Sequence, residues 1–123
     1  MYDELARLAL TEFADIITHA ETLRRRAAVP LKLRLTVHDG TLIDVWLSPD
    51  LMRYSYHWEQ RAKRGLIYRH DNAPDHPAIS TFPKHFHNGN ENTVEESHIH
   101  DDPVIALRQF LTFVRAKLNE YSV

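Results

Sequence analysis

The sequence predicts an α+β fold: an N-terminal helix, an antiparallel meander of about five strands, and a C-terminal helix packed on the sheet. Three observations lead to this prediction. Apolar residues recur every three or four positions towards both ends of the chain, and they alternate with polar residues in the middle. Turn-forming pairs such as Asp39-Gly40 and Pro49-Asp50 separate the alternating runs. The 123 residues suit a single domain, residues 1–123, without internal repeats.

The first predicted element is an amphipathic helix from Tyr2 to about Ala27. Asp3 and Glu4 suit its start, because acidic side chains interact favourably with a helix N-terminus. Pro30 prevents the helix from continuing. The apolar face of this helix would carry Leu5, Ala9, Phe13, Ile16, Ala20 and Leu23.

A hairpin is predicted next, because Leu31 to Val37 alternates with period two and Asp39-Gly40 is a turn signal. A two-residue turn would pair Leu35 with Asp44 and so mix apolar and charged side chains on one face. A three-residue loop, His38 to Gly40, keeps each face uniform. It predicts three apolar pairs and two polar-face pairs: Leu35 with Ile43, Leu33 with Val45, Leu31 with Leu47, Arg34 with Asp44, and Lys32 with Trp46.

Further short alternating runs predict the rest of the sheet. The loop between Asp71 and Pro83 contains three prolines, which stiffen it. The predicted strands are Arg53 to Gln60, Leu66 to His70 and Lys84 to His87, with Thr93 to Ser97 as a short edge strand.

Asp102-Pro103 is typical of a helix start, with Asp at the cap and Pro in the first turn. The apolar residues that follow recur at helical spacing: Val104, Leu107, Leu111, Val114 and Leu118.

Composition excludes several classes of protein. The chain has no cysteine, so it has no disulfide framework, Cys-zinc site or thiol nucleophile. It has no apolar run long enough to cross a membrane and no signal-peptide pattern, so we expect a cytoplasmic protein. The net charge of −2 is not that of a global nucleic-acid binder.

Histidine is the unusual feature: nine in the chain, seven of them between His57 and His100. From Arg53 to His87 there are six basic and three acidic side chains, besides five histidines. This local basic patch is compatible with a phosphate backbone or an acidic partner. If Lys84 to His87 is extended, His85 and His87 point to the same side, roughly 7 Å apart.

These residues favour metal-independent RNA cleavage, provided that the loop from Asp71 folds over the strands. The reaction needs a base for the 2′-hydroxyl proton, an acid for the leaving oxygen, and cations for the phosphoryl group. Histidine suits both proton roles, because its ordinary pKa of about 6.5 lies near working pH. The predicted catalytic residues are His85 and His87 as the acid–base pair, His57 or His76 as alternates, and Asp71 to orient an imidazole. The predicted substrate-binding residues are Arg53, Tyr56, Arg69, Asn72 and Lys84, with Tyr56 or Trp58 stacking a base if exposed.

Two other classes of function stay open. One is a metal-dependent hydrolase, in which His85, His87 and one of His57, His76 or Asp71 bind zinc or manganese and leave a position for water. The other is a non-enzymatic binding module, whose basic patch meets an acidic partner. The apolar faces of the two helices also suit a homodimer or a partner interface, although the core needs the same faces.

Three segments of the chain resemble one known family. They are Tyr-Ser-Tyr-His (Tyr54 to His57), Asp-Asn-Ala-Pro with His-Pro (Asp71 to Pro77), and Phe-Pro-Lys-His-Phe-His (Phe82 to His87). In order and spacing they are similar to the TumE-type toxins of bacterial toxin–antitoxin modules. The resemblance implies a small cytoplasmic toxin whose partner is a cognate antitoxin, often of helix-turn-helix type.

Overall fold

The computed structural model describes residues 1–26 and 29–122. They form one seven-stranded antiparallel sheet in which each strand pairs with its neighbours in chain order. The helices and strands are α1 (Tyr2–Glu12), β1 (Ile17–Arg25), β2 (Val29–Val37), β3 (Leu42–Leu47), β4 (Tyr54–Gln60), α2 (Arg61–Arg64), β5 (Leu66–Asp71), β6 (His85–Gly89), β7 (Val94–Glu96) and α3 (Pro103–Tyr121). The predicted α+β class, with a helix before and after a meander, is confirmed. The sheet has seven strands rather than about five.

The first helix is much shorter than predicted. It ends at Glu12, and a turn in which the N–H groups of Ile16 and Ile17 donate to the carbonyl of Phe13 leads into β1. The predicted helix over residues 13–26 is therefore wrong, and its predicted end at Ala27 lies outside the described residues. The helical spacing continues past Glu12, but pairing with β2 satisfies the backbone groups of both strands along this edge.

The hairpin between β2 and β3 has the predicted register. Leu35 lies opposite Ile43, Leu33 opposite Val45, and Arg34 opposite Asp44. Gly40 has a φ of +89°, a left-handed conformation that glycine adopts without a steric penalty. The requirement that each face of the hairpin be uniform therefore predicted the three-residue loop correctly.

The remaining predicted elements are present with small shifts of their ends. The strands β4, β5 and β6 match the predicted ones within two residues, and β7 is the predicted short edge strand. The basic segment after β4 forms a single helical turn, α2. Helix α3 begins as predicted: a carboxylate oxygen of Asp102 accepts the N–H of Val104 at 2.9 Å.

Helices α1 and α3 cover one face of the sheet. Tyr56 and Trp58 of β4 point into this core, where their rings contact Phe110 and Tyr121 of α3. Ion pairs between Arg108 and Glu12 and between Arg115 and Asp15 fasten α3 to α1 and to the turn that follows it. Because side chains alternate along a strand, the neighbours of the core aromatics lie on the opposite face, which the two helices leave uncovered.

Candidate active site

Two rows of polar side chains cross the uncovered face of the sheet. Ser55, Asp71 and His85 occupy one row, because they lie opposite each other on β4, β5 and β6. His57, Arg69 and His87 occupy the next row in the same way. Alternation along each strand and the register between strands thus bring five of the predicted site residues to adjacent positions: His57, Arg69, Asp71, His85 and His87.

The carboxylate of Asp71 lies between the two histidines of β6. His85 Nε2 is 3.1 Å from Oδ1 of Asp71, and His87 Nε2 is 3.7 Å from Oδ2. Arg69 Nε donates to Oδ2 at 2.9 Å, and the N–H of Ala73 donates to Oδ1 at 3.0 Å. Arg69 and Ala73 therefore hold this carboxylate in place.

Backbone carbonyl groups fix the orientation of both imidazoles. Nδ1 of His85 lies 3.1 Å from the carbonyl oxygen of Pro83, and Nδ1 of His87 lies 3.1 Å from that of Glu91. Because a carbonyl oxygen only accepts, each Nδ1 carries a proton and each Nε2 points towards Asp71. The two side chains are almost fully buried, with exposed fractions of 1% for His85 and 4% for His87. Burial, together with the charge of Arg69, lowers the pKa of His87.

His76 reaches this cluster from the proline-containing loop over residues 72–84. Its ring centroid is 4.6 Å from that of His85 and 5.7 Å from that of His87. Asn72 attaches the start of this loop to the sheet: its Oδ1 accepts the N–H of Tyr54 at 3.0 Å, and its Nδ2 donates to the carbonyl of Met52 at 2.7 Å. We call His76, His85 and His87 the histidine cluster.

The histidine cluster lies in a cleft of about 360 Å³. Arg53, Arg69 and the exposed indole of Trp46 also line it. Burial alone would lower the pKa of Arg69, but the hydrogen bonds that it donates to Glu91 and Asp71 outweigh this effect and raise its pKa, so its guanidinium stays charged. The cleft therefore combines imidazoles, one buried carboxylate, two guanidinium groups and an aromatic ring.

Other predicted site residues have different surroundings. His57 Nε2 lies 3.0 Å from Glu59, and its Nδ1 lies 3.3 Å from Arg69, which places it beside the cleft. Lys84 donates to the carbonyl of Ile99 at 2.7 Å and pairs with Asp101, so the structure does not bring its ammonium group to the cluster. The side-chain amide of Asn72 is already bonded to the backbone.

The predicted stacking role of Tyr56 requires correction. This ring is 1% exposed and lies on the helix-covered face, so no RNA base can reach it. Trp58 is fully buried on the same face. Alternation on β4 predicts that the aromatic residues share one face, but it does not show which face the helices cover.

Sequence reasoning did not predict several residues that line the cleft, among them Trp46 and Glu91. Trp46 lies opposite Ser55 of β4, and the predicted hairpin register had already placed it on the polar face. Glu91 follows the turn that begins at Gly89, and its carboxylate pairs with Arg69 at 2.8 Å. The hairpin register could have pointed to Trp46. Placing Trp46 and Glu91 at the cleft, however, requires knowing which strands are neighbours in the sheet.

A protein-family model described as Toxin TumE matches residues 5–118 of this chain. The chain belongs to the TumE toxin family. It is therefore a toxin component of a toxin–antitoxin system, and its partner is in general an antitoxin. Searches of curated proteins and of solved structures give no significant match to this TumE-family chain. In residues 1–26 and 29–122, no helix has the length and apolar character needed to cross a membrane.

Proposed function

We propose that this TumE-family toxin cleaves RNA and that the cleft around the histidine cluster is its active site. The observation that carries the proposal is a cluster of three imidazoles, two of which face Asp71, in a cleft that also contains Arg53 and Arg69. Cleavage of a phosphodiester requires groups that move protons and cations that stabilise the charged phosphoryl oxygens. This cleft provides both kinds of group.

The reaction class follows from the chemistry of RNA. The 2′ oxygen attacks phosphorus, the bond between phosphorus and the 5′ oxygen breaks, and a proton moves from the attacking to the leaving oxygen. The histidine cluster and Asp71 are the titratable groups at the floor of the cleft. Arg53 is exposed at the cleft and suits a phosphate contact.

Trp46 supports a single-stranded nucleic acid as the substrate. Its side chain is 39% exposed and lines the same cleft, so a base can stack on the indole. We therefore assign to Trp46 the base-stacking role that the sequence had suggested for Tyr56.

The partner proposed is a cognate antitoxin of the helix-turn-helix type that the resemblance implies, and the site of action is the cytoplasm, where cellular RNA is found. Co-expression with the antitoxin should restore growth and yield a complex that co-purifies.

Induction without the antitoxin tests the function. The wild type should arrest growth and fragment cellular RNA, whereas a His85→Ala, His87→Ala double variant of equal expression and intact circular dichroism should do neither. His98→Ala, which changes an exposed histidine outside the cleft, is the matched control and should stay toxic. Arrested growth with intact RNA, or equal toxicity of the double variant, would contradict the proposal.

A further inference from the structure

The hydrogen bonds of His85 leave a conflict at Asp71. Its Nδ1 must donate to the carbonyl of Pro83, so a neutral ring has only a lone pair on Nε2. That lone pair faces a carboxylate oxygen at 3.1 Å, and a carboxylate also has only lone pairs to offer. Arg69 already pairs with the other oxygen of Asp71, but nothing among the described residues lies between Nε2 of His85 and Oδ1. A cation bound to Nε2 would make this contact attractive.

His87 has a similar but looser arrangement. Its Nδ1 donates to the carbonyl of Glu91, and its Nε2 lies 3.7 Å from the other oxygen of Asp71. The ring centroids of His85 and His87 lie 4.9 Å apart, and both side chains are buried. One cation held by the two Nε2 atoms would lie beside the carboxylate of Asp71.

The spacing of the cluster also fits one shared ion better than an acid and a base on either side of a phosphate. One ring nitrogen from each of His76, His85 and His87 lies within 4.8 Å of the other two. An acid and a base that bond to oxygens on opposite sides of one phosphorus must lie farther apart than two ligands of one ion, because the phosphoryl group and two hydrogen bonds, each of about 2.7–2.8 Å, lie between them. Three nitrogens around one tetrahedral zinc, at bond lengths of about 2.0–2.1 Å, lie roughly 3.4 Å apart. His76 is half-buried on a loop, so its ring is less constrained than the strand residues His85 and His87.

We infer that His76, His85 and His87 bind one divalent first-row transition-metal ion, with the fourth coordination position open to the cleft and Asp71 beside it. In both His85 and His87, Nδ1 donates a hydrogen bond to a backbone carbonyl. Such bonds commonly orient metal-binding imidazoles. Nitrogen ligands favour zinc, nickel or copper over magnesium or calcium. Three protein ligands and an open position are typical of catalytic rather than structural zinc.

This inference extends the proposed function: a role of the ion in catalysis assumes that the cleft cleaves RNA. An ion at this position would lower the pKa of a bound water and stabilise charge on phosphoryl oxygens. The histidines of the cluster would then be its ligands, and Asp71 would lie beside it.

Metal uptake by tag-free protein, stripped with a chelator, tests the site directly. We expect isothermal titration with Zn²⁺ to show one site per chain, and Mg²⁺ to give no comparable binding. His76→Ala removes a ligand that lies on a loop rather than in the sheet, so we expect this variant to fold. Its affinity for Zn²⁺ should be lower than that of the wild type by roughly 100-fold or more. The control His98→Ala should bind like the wild type. Equal Zn²⁺ binding by the wild type and His76→Ala would overturn the site, as would the absence of binding.

RNA cleavage by the stripped protein, with and without added Zn²⁺, separates this inference from the proposed function. Cleavage that needs added Zn²⁺ supports both. Undiminished cleavage in excess chelator overturns the catalytic metal and leaves the nuclease proposal standing. One tight Zn²⁺ site in a protein that cleaves no RNA supports the metal site and overturns the nuclease proposal.

Discussion

Asp71 is the residue on which the site depends. It accepts hydrogen bonds from Arg69 and Ala73 and faces Nε2 of both His85 and His87, although it is itself only 9% exposed. A buried carboxylate is tolerated when it is paired and hydrogen-bonded. The sequence suggested Asp71 as a partner for one imidazole. The structure places it next to two, because β6 pairs with β5 in the register that puts His85 opposite Asp71.

Trp46 gives a prediction at the residue scale. Trp46→Ala should weaken binding of a short single-stranded oligonucleotide by about 1–3 kcal/mol, because the base loses its stacking surface. Trp46→Phe should retain most of the affinity. Fluorescence anisotropy with an oligonucleotide that lacks 2′-hydroxyl groups measures binding without cleavage. If the alanine variant binds like the wild type, the indole does not stack a base.

At the scale of elements, the β2–β3 hairpin shows how local patterns become reliable. Its register follows from the requirement that each face be uniform, and the polar face contains a compact ion cluster. Asp44 accepts hydrogen bonds from Arg34 at 2.8 and 3.0 Å and from Lys32 at 2.8 Å. Burial raises the pKa of Asp44, but these bonds outweigh it and lower the pKa below its ordinary value.

The Asp44 cluster gives a prediction for stability against pH. A carboxylate with a lowered pKa stabilises the fold above the pKa of the unfolded chain, about 3.9, and loses this effect as the pH falls through the folded value. Asp44→Asn should therefore reduce the free energy of unfolding by about 1–2 kcal/mol at neutral pH. The difference from wild type should shrink below roughly pH 4.

Urea denaturation across this pH range, with metal-free samples, measures the difference. Asp75→Asn, on the exposed part of the loop over residues 72–84, is the matched control and should unfold like the wild type at each pH. A wild-type advantage over Asp44→Asn that stays constant down to roughly pH 2.5 would show that the ion cluster does not carry the effect.

Segment 13–26 shows where local patterns fail at the same scale. Phe13, Ile16, Ala20 and Leu23 have helical spacing, yet residues 17–25 form an edge strand. Only part of this apolar pattern reaches the core: Phe13 and Ile16 are buried, while Leu23 lies opposite Lys32 on the polar side of the sheet. Pairing with β2 decides the conformation, because it provides backbone partners for the whole length of the segment.

At the scale of the whole molecule, the sheet separates stability from function. The two helices bury one face, and the other face holds the polar rows and the cleft. Net charge is −2, yet Arg53 and Arg69 line the cleft. Asp71, Asp75 and Glu91 line the same cleft, and Arg69 is paired with Asp71 and Glu91. Arg53 is therefore the guanidinium that we expect to contact RNA.

Salt dependence tests this surface. Binding of the non-cleavable oligonucleotide should weaken as salt rises, because each phosphate contact releases counterions. Arg53→Ala should lower the slope of log affinity against log salt by about 0.7, the value for one contact to a single strand. Arg7→Ala, on the exposed side of α1, should leave the slope unchanged. An equal slope for Arg53→Ala and wild type would remove Arg53 from the interface.

The sequence by itself determined those features that depend on neighbouring residues: the register of the β2–β3 hairpin, the start of α3 at Asp102-Pro103, and the common side of His85 and His87. Alternation, turn chemistry and capping operate over a few residues, so one sequence displays them. Only the tertiary structure decided that residues 17–25 cover a sheet edge, that Tyr56 faces the core while Trp46 faces the cleft, and that His76 meets His85 and His87. These outcomes depend on which strands become neighbours and on the path of the loop over residues 72–84, and neither is encoded within a short stretch of chain.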